Sequence, residues 1–203
     1  MVQAIQANQI TLGEADQKLD LHLELSPDFF PEWQGSSGLL SDYEKKTLDI
    51  AKDSFLYVVR NAKQEALVKM IVVSPLLSAA GFYQEPFSIG AEQATEIAVE
   101  DEGDIIRGKI DVLVIKENMW VVVIETKGAG VSLQMGIPQA LTYMASNPDQ
   151  TLLYGMVTNG AETIFIKLDR ETGQYGFSKT YSILNPGNDF YEVASILKSL
   201  GSL

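Results

Sequence analysis

The run Met119-Trp120-Val121-Val122-Val123-Ile124-Glu125-Thr126 constrains the fold of this chain more than any other segment. Val and Ile follow one another there without polar alternation, so both faces of the segment are apolar. A strand with one face in water alternates. One that does not must be covered on both sides, which requires a sheet interior with a layer packed on each face. The segment before it, Lys109–Ile115, is also more continuous than alternating, and Lys116-Glu117-Asn118 makes a short polar connection between the two. Together they predict an antiparallel hairpin inside a sheet.

Three ionisable residues interrupt this apolar pair. Asp111 stands between Ile110 and Val112, while Glu125 and Lys127 close the Val/Ile run. Residues two apart on a strand share a face, so Glu125 and Lys127 point the same way. Folding the hairpin about residues 116–119 brings the start of one strand beside the end of the other, and Asp111 near Glu125. Buried charges are costly unless paired or bound to a metal. Two carboxylates and an ammonium at one sheet end suit a hard divalent cation and water. Such an ion polarises a phosphoryl oxygen and acidifies bound water, and a neighbouring lysine orients that water and steadies developing charge. Solvated strand ends are the plain alternative for the same three residues.

The remaining chain reads as helices, strands, helix, strands, helix, which makes an α/β (α+β) domain with a mixed sheet. Residues 1–40 read least clearly, with strands expected at Gln9–Leu12 and Leu19–Leu25 and a Gly-Ser turn at Gly35–Gly38. They are taken as an extension to a domain spanning 41–203. Asp42 is expected to cap a helix from Tyr43, and a second helical segment to run from about Ala62 to Pro75, which either kinks it or starts a further short helix, Leu76 to Ala80, ended by Gly81. An edge strand at Phe82–Ile89 and a strand at Ile97–Val99 lead to the acidic turn Glu100–Asp104. After a helix over Ser132–Ser146 come strands at Leu152–Thr158 and Thr163–Leu168 joined at Asn159-Gly160, a strong hairpin signal. A strand at Gln174–Tyr181 and a helix capped by Asp189 and ending near Leu200 complete the order.

Composition removes whole classes of chemistry. The 203 residues contain no cysteine and a single histidine, His22, so thiolate and histidine metal sites and a cysteine nucleophile are excluded. Any metal would need oxygen ligands, which points to Mg²⁺, Mn²⁺ or Ca²⁺. With 46% hydrophobic residues the chain can fill one core. No apolar stretch is long enough to span a bilayer, and Met1–Asn8 lacks the basic start and apolar centre of a signal peptide. A cytosolic location is the expectation. The formal charge of −12 argues against coating nucleic acid by bulk electrostatics. A local basic strip would have to come from Arg107, Lys109 and Lys116.

On the helix after the hairpin, Leu133, Ile137, Leu141 and Met144 form an apolar stripe. Gln139 and Tyr143, four apart, share another face, and Pro138 suits the first turn of a helix starting near Gly136. The ordered set Asp111, Glu125-Thr126-Lys127 and Gln139-Ala-Leu-Thr-Tyr143 resembles the PD-(D/E)XK nucleases, with the Gln-x-x-x-Tyr element of their RecB-type branch. Glu65–Leu168 is more specifically similar to the amino-terminal nuclease domain of type I restriction enzyme R subunits. The likeness rests on Pro75-Leu76-Leu77, Gly81-Phe82, Gly108-Lys109-Ile110-Asp111, Ile124–Lys127, the Gln139/Tyr143 helix and Thr158-Asn159-Gly160. About half the chain is covered.

The resemblance implies a restriction-endonuclease-like mixed central sheet flanked by helices, and a Mg²⁺- or Mn²⁺-dependent endonuclease acting on DNA, in restriction or repair. It assigns Asp111 and Glu125 as metal ligands, with the backbone carbonyl of Thr126, and Lys127 as the catalytic lysine. Gln139 and Tyr143 would support the site or contact nucleic acid. Glu65 is the candidate for an additional acidic ligand, with Glu44 and Glu96 as alternatives. Ile110 stands where the motif has proline. No P-loop lies in the sequence, so the helicase motor of R subunits is missing from it, and the domain is expected either to stand alone or to dock onto a separate motor or specificity subunit. Many such nucleases are dimers. The competing reading is a non-catalytic module with this fold that binds a protein or nucleic acid. Gly128-Ala129-Gly130 is read as a turn rather than a phosphate cradle, and the acidic turn as solvated rather than a calcium loop, while packing explains Tyr57, Phe82, Tyr83 and Phe87 at least as well as base stacking does.

Overall fold

The computed structural model describes residues 4–34, 40–98 and 105–203, apart from the side chains of Ala4, Gln93 and residues 95–98. The Gly35–Gly38 turn and the Glu100–Asp104 turn lie outside the described residues. Among the described ones, strands β1 (Ala4–Gln6), β2 (His22–Leu23), β3 (Phe87–Ala98), β4 (Ile105–Lys116), β5 (Met119–Thr126), β6 (Leu152–Thr158), β7 (Glu162–Asp169), β8 (Gln174–Phe177) and β9 (Tyr181–Ser182) form one mixed sheet. Its order is β1-β4-β5-β6-β7-β8-β2, with β3 on β4 and β9 on β7. Helices α1 (Leu12–Leu19), α2 (Asp42–Val58), α3 (Glu65–Val68), α4 (Ser74–Ala80), α5 (Ile137–Ala145) and α6 (Phe190–Leu200) cover it.

β5 shows why the Val/Ile run has no polar alternation. Val122 and Ile124 join one apolar cluster with α2, α4 and α6, whereas Val123 joins another with α1 and α5. Each buried Val or Ile contributes roughly 1.5–3 kcal/mol, so the strand is held from both sides. The β4–β5 hairpin turns through Glu117 and Asn118, both left-handed at φ 50° and 70°, the conformation a two-residue hairpin turn needs. Asn159-Gly160 joins β6 to β7 as expected, with the Asn159 Oδ1 accepting the Ala161 and Glu162 amides at 3.0 and 2.8 Å.

Several local readings are corrected. Leu12 begins a helix, not the end of a strand, because Thr11 and Glu14 form a reciprocal capping box. Ser41, not Asp42, caps α2, through the same kind of box with Glu44. Between α3 and α4 the chain runs on through an unexpected π-helical segment, Lys69–Val73, while Pro75 stands in the first turn of a further short helix that Gly81 ends, the second of its two expected roles. The wider turn tolerates a proline that has no N–H to donate. Strand β3 starts at Phe87, after Pro86 rather than across it, and takes in Ile97 and Ala98 of the short strand expected further on, whose Val99 lies outside the described residues. Gln174–Tyr181 is two strands. Asp189 precedes α6 without capping it, since its carboxylate accepts from Ser182 N and Asn185 Nδ2 instead.

Gly160 sits at φ +84°, and a Cβ there would lie 2.4 Å from Phe55 Cε2. Gly160→Ala should therefore cost about 2–4 kcal/mol in urea unfolding, from left-handed strain plus overpacking. A loss within about 0.5 kcal/mol would show that the β6–β7 turn is not packed on α2.

Candidate active site

The site originates in a split edge of β4. Its far edge pairs with β3 along nearly its whole length. On the other edge, Ile105–Arg107 pair in parallel with β1, and Val112–Lys116 pair antiparallel with β5. Among the described residues no strand takes Gly108–Asp111 on this edge. The opening is a cleft of about 510 Å³ lined by Gln6, Asn8, Glu65, Glu92, Arg107, Lys109, Asp111, Gln139 and Tyr143. Gly108 is needed here because a Cβ would meet Tyr143 Cε1 at 2.6 Å and Ala7 Cβ at 2.9 Å. The face alternation of β4 also slips at this point. Ile110 and Leu113 pack on the α5 side, Val112 and Val114 on the other.

Asp111 occupies the slip. Its Oδ2 accepts from the Thr126 backbone N–H at 2.7 Å and from Thr126 Oγ1 at 2.6 Å, replacing the strand partner that β4 lacks there. Its Oδ1 accepts from Lys69 Nζ at 2.7 Å. The same ammonium lies 3.2 Å from Glu65 Oε1 and 3.1 Å from Glu92 Oε1. Glu92 reaches it from a non-glycine residue at φ +53° within β3, a costly conformation characteristic of functional positions. Burial disfavours the Lys69 charge, but the hydrogen bond and charge of Asp111, helped by Glu92 and Glu65, outweigh it and raise its pKa.

The other half of the site is on the α5 face. Glu125 is 1% exposed. Its Oε1 accepts from Lys127 Nζ at 2.5 Å, and its buried Oε2 has no partner. Burial, then the Asp111 charge, push its pKa up to about 8 against the pull of Lys127. Lys127 Nζ also donates to Gln139 Oε1 at 2.8 Å, and Gln139 Nε2 donates to Tyr143 Oη at 2.7 Å. Gln139 and Tyr143 are both buried rather than on a solvated face. Pro138 stands in the first turn of α5, and Gln139 and Tyr143 follow it one helical turn apart on the same face. Burial raises the Tyr143 phenol to about 12, so it stays protonated.

The residues singled out in the sequence thus gather at one place: Asp111, Glu125, Lys127, Gln139 and Tyr143, with Glu65 bonded to Thr126 Oγ1 at 3.3 Å. Glu44 does not belong, because Ser41 and Lys198 hold its carboxylate. Glu96 pairs with Arg107 along the β3–β4 ladder, and its side chain is outside the described residues. Of the basic candidates, Arg107 and Lys109 line the cleft, but Lys116 is at the other end of β4, donating to Gly201 O. In the Gly128–Gly130 turn, the Ala129 amide donates to Lys63 O and the Val131 amide to Gly128 O. Phe82 and Phe87 pack edge to face at 4.9 Å, while Tyr57 and Tyr83 are exposed. Lys69 and Glu92 escaped the sequence reading. The signal for Lys69 was its place four residues after Glu65 on a helix.

Among the described residues, no three His, Asp or Glu side chains are placed to hold a metal ion by themselves, and the carboxylates that do gather meet on Lys69. Asp111 and Glu125 nevertheless offer the hard oxygen donors that Mg²⁺ takes one or two at a time, and the unpartnered Glu125 Oε2 lacks the partner such an ion would be.

No family model and no curated protein matches the chain. Among solved structures it is similar to a fragment assigned as the HsdR subunit of a type I restriction enzyme from Vibrio vulnificus YJ016, at 22% identity and a TM-score of 0.41. The match covers 60% of this chain and 24% of that one, so it spans about a quarter of that structure. No helix among the described residues is long and apolar enough to cross a membrane.

The raised Glu125 pKa has a definite sign. The folded protein keeps this proton up to about pH 8, whereas the unfolded chain releases it near 4.5, so stability falls as pH rises across that window. In chelator, Glu125→Gln removes that fall. Urea unfolding at pH 5, 6.5 and 8 should show the variant gaining on the wild type at each step. A difference independent of pH would mean that Glu125 ionises normally.

Proposed function

We propose that this chain is a PD-(D/E)XK-type nuclease domain, akin to that of type I restriction R subunits, which hydrolyses DNA phosphodiester bonds with Mg²⁺ or Mn²⁺. The observation that carries the reading is the convergence of Asp111, Glu125 and Lys127, backed by Gln139 and Tyr143, where β4 and β5 part beside the cleft. Asp111 and Glu125, with the Thr126 carbonyl, would hold the ion, and Glu65 stands within reach of the same group. When bound, the ion supplies Lewis acidity toward the phosphoryl oxygen and acidifies water.

The protein's own groups have distinct tasks. Two of the three Lys127 N–H donors are spent on Glu125 and Gln139, which fix the ammonium and leave the third for the attacking water or a phosphoryl oxygen. Gln139 is itself fixed by Tyr143. The Tyr143 hydroxyl accepts from Gln139 and remains protonated, so its own O–H can donate to a phosphate in the cleft. Arg107 and Lys109 supply local positive charge to a chain of net charge −12. Water attacks phosphorus in line and gives up a proton to solvent, the P–O bond to the leaving oxygen breaks and that oxygen takes up a proton from solvent, while Lys127 steadies the extra charge.

One observation favours a second reading, a non-catalytic module that binds a partner or nucleic acid through the same cleft. Lys69 already gives Asp111 a cation. Plasmid and single-stranded DNA incubated with Mg²⁺ or Mn²⁺ separate the two readings. The nuclease should nick DNA only with metal, and Lys127→Ala should slow nicking by about a hundredfold or more. Equal activity in both proteins would reject this assignment of the residues, and inactivity of the wild type would favour the binding module.

A further inference from the structure

Lys69 lies where a cation is wanted and where a cation already sits. Its Nζ is 2.7 Å from Asp111 Oδ1, 3.1 Å from Glu92 Oε1 and 3.2 Å from Glu65 Oε1. Three carboxylates drawn from α3, β3 and β4 therefore close on one ammonium. The arrangement is built at local expense. Glu92 adopts a left-handed backbone in the middle of β3, and the helix widens into a π-turn that starts at Lys69 itself.

We infer that Lys69 is a built-in counter-ion that holds Asp111 and Glu65 in place without metal and must give way when a divalent cation binds, so that it sets the cation affinity of the site. This rests on the metal-dependent reading above. The physical reason is simple. A lysine ammonium and a divalent ion sharing the Asp111 carboxylate repel each other across a few ångströms in a partly desolvated cleft, where like charges are poorly screened. Lys69 has somewhere to go, because its side chain is 24% exposed and Glu92, its outer partner, is 60% exposed. Moving outward with Glu92 keeps one ion pair while releasing Asp111. Lys69 is thus a positioning residue acting through Asp111.

A merely structural lysine and a competing one make opposite forecasts. Isothermal titration of Mn²⁺ into Lys69→Gln should give an affinity about tenfold or more tighter than into wild type, because the competing charge has gone. Lys69→Arg, which keeps the charge, should stay close to wild type. In chelator the Gln variant should melt below wild type, and Mn²⁺ should raise its melting temperature by more. Should Lys69→Gln fail to fold, acetylation of lysines in the wild-type protein, read by mass spectrometry, gives the same answer. Lys69 should react faster when Mg²⁺ is added. An equal or weaker Mn²⁺ affinity in Lys69→Gln, or Lys69 reactivity unmoved by bound Mg²⁺, overturns the inference and leaves the nuclease reading intact. Proteins that ignore both metals overturn it together with the metal role. Tighter Mn²⁺ binding in Lys69→Gln than in wild type, without DNA cleavage by either, supports the inference while counting against the nuclease.

Discussion

The structure depends on a strand buried on both faces that ends in a charge. β5 is covered by α2, α4 and α6 on one side and by α1 and α5 on the other. Four consecutive apolar side chains, Val121–Ile124, secure it, and their burial outweighs the cost of seating one carboxylate at the strand end. Glu125 cannot move to solvent without pulling β5 out of its ladders with β4 and β6. Every other part of the site answers that fixed, poorly solvated group. Lys127 on the same face supplies charge, Gln139 holds Lys127, and Tyr143 holds Gln139.

The two faces of the sheet are joined through Thr126. Its side chain points away from Glu125, toward Glu65, while its backbone and hydroxyl both bind Asp111. A buried lysine chain on the α5 side is thereby coupled to a lysine–carboxylate cluster on the α3 side. Buried polar groups of this kind are stable only as complete networks. This one is complete except for Glu125 Oε2. The gap falls at the carboxylate to which the metal-dependent proposal gives an ion, although Asp16 Oδ1 and Glu32 Oε2 are also buried without a partner and have no such role.

Local patterns made much of this legible before the fold was known. Continuous Val/Ile runs gave β4 and β5, the polar three-residue connection gave their hairpin, and Asn159-Gly160 gave the next one. The position of Pro138 marked the start of α5. What misled was equally physical. Leu12 and Leu19 look like ends of strands until Thr11-x-x-Glu14 is read as a capping box, and Ser41-x-x-Glu44 is the same signal. β1 and β2 are only three and two residues long, and their parallel pairing is fixed by the rest of the sheet rather than by their own pattern.

Lys69 and Glu92 were illegible for a deeper reason. Neither interrupts an apolar run, so neither violates a local rule. Lys69 comes 42 residues before Asp111, on a helix whose facing is decided by a π-turn, and Glu92 depends on a backbone conformation that its residue type disfavours. A charge buried in a strand announces itself in sequence because it contradicts its surroundings. A charge that satisfies it from a helix surface looks ordinary. Asp111, Glu125 and Lys127 could therefore be read in advance, while Lys69 and Glu92 took their places only once the sheet and helices were brought together.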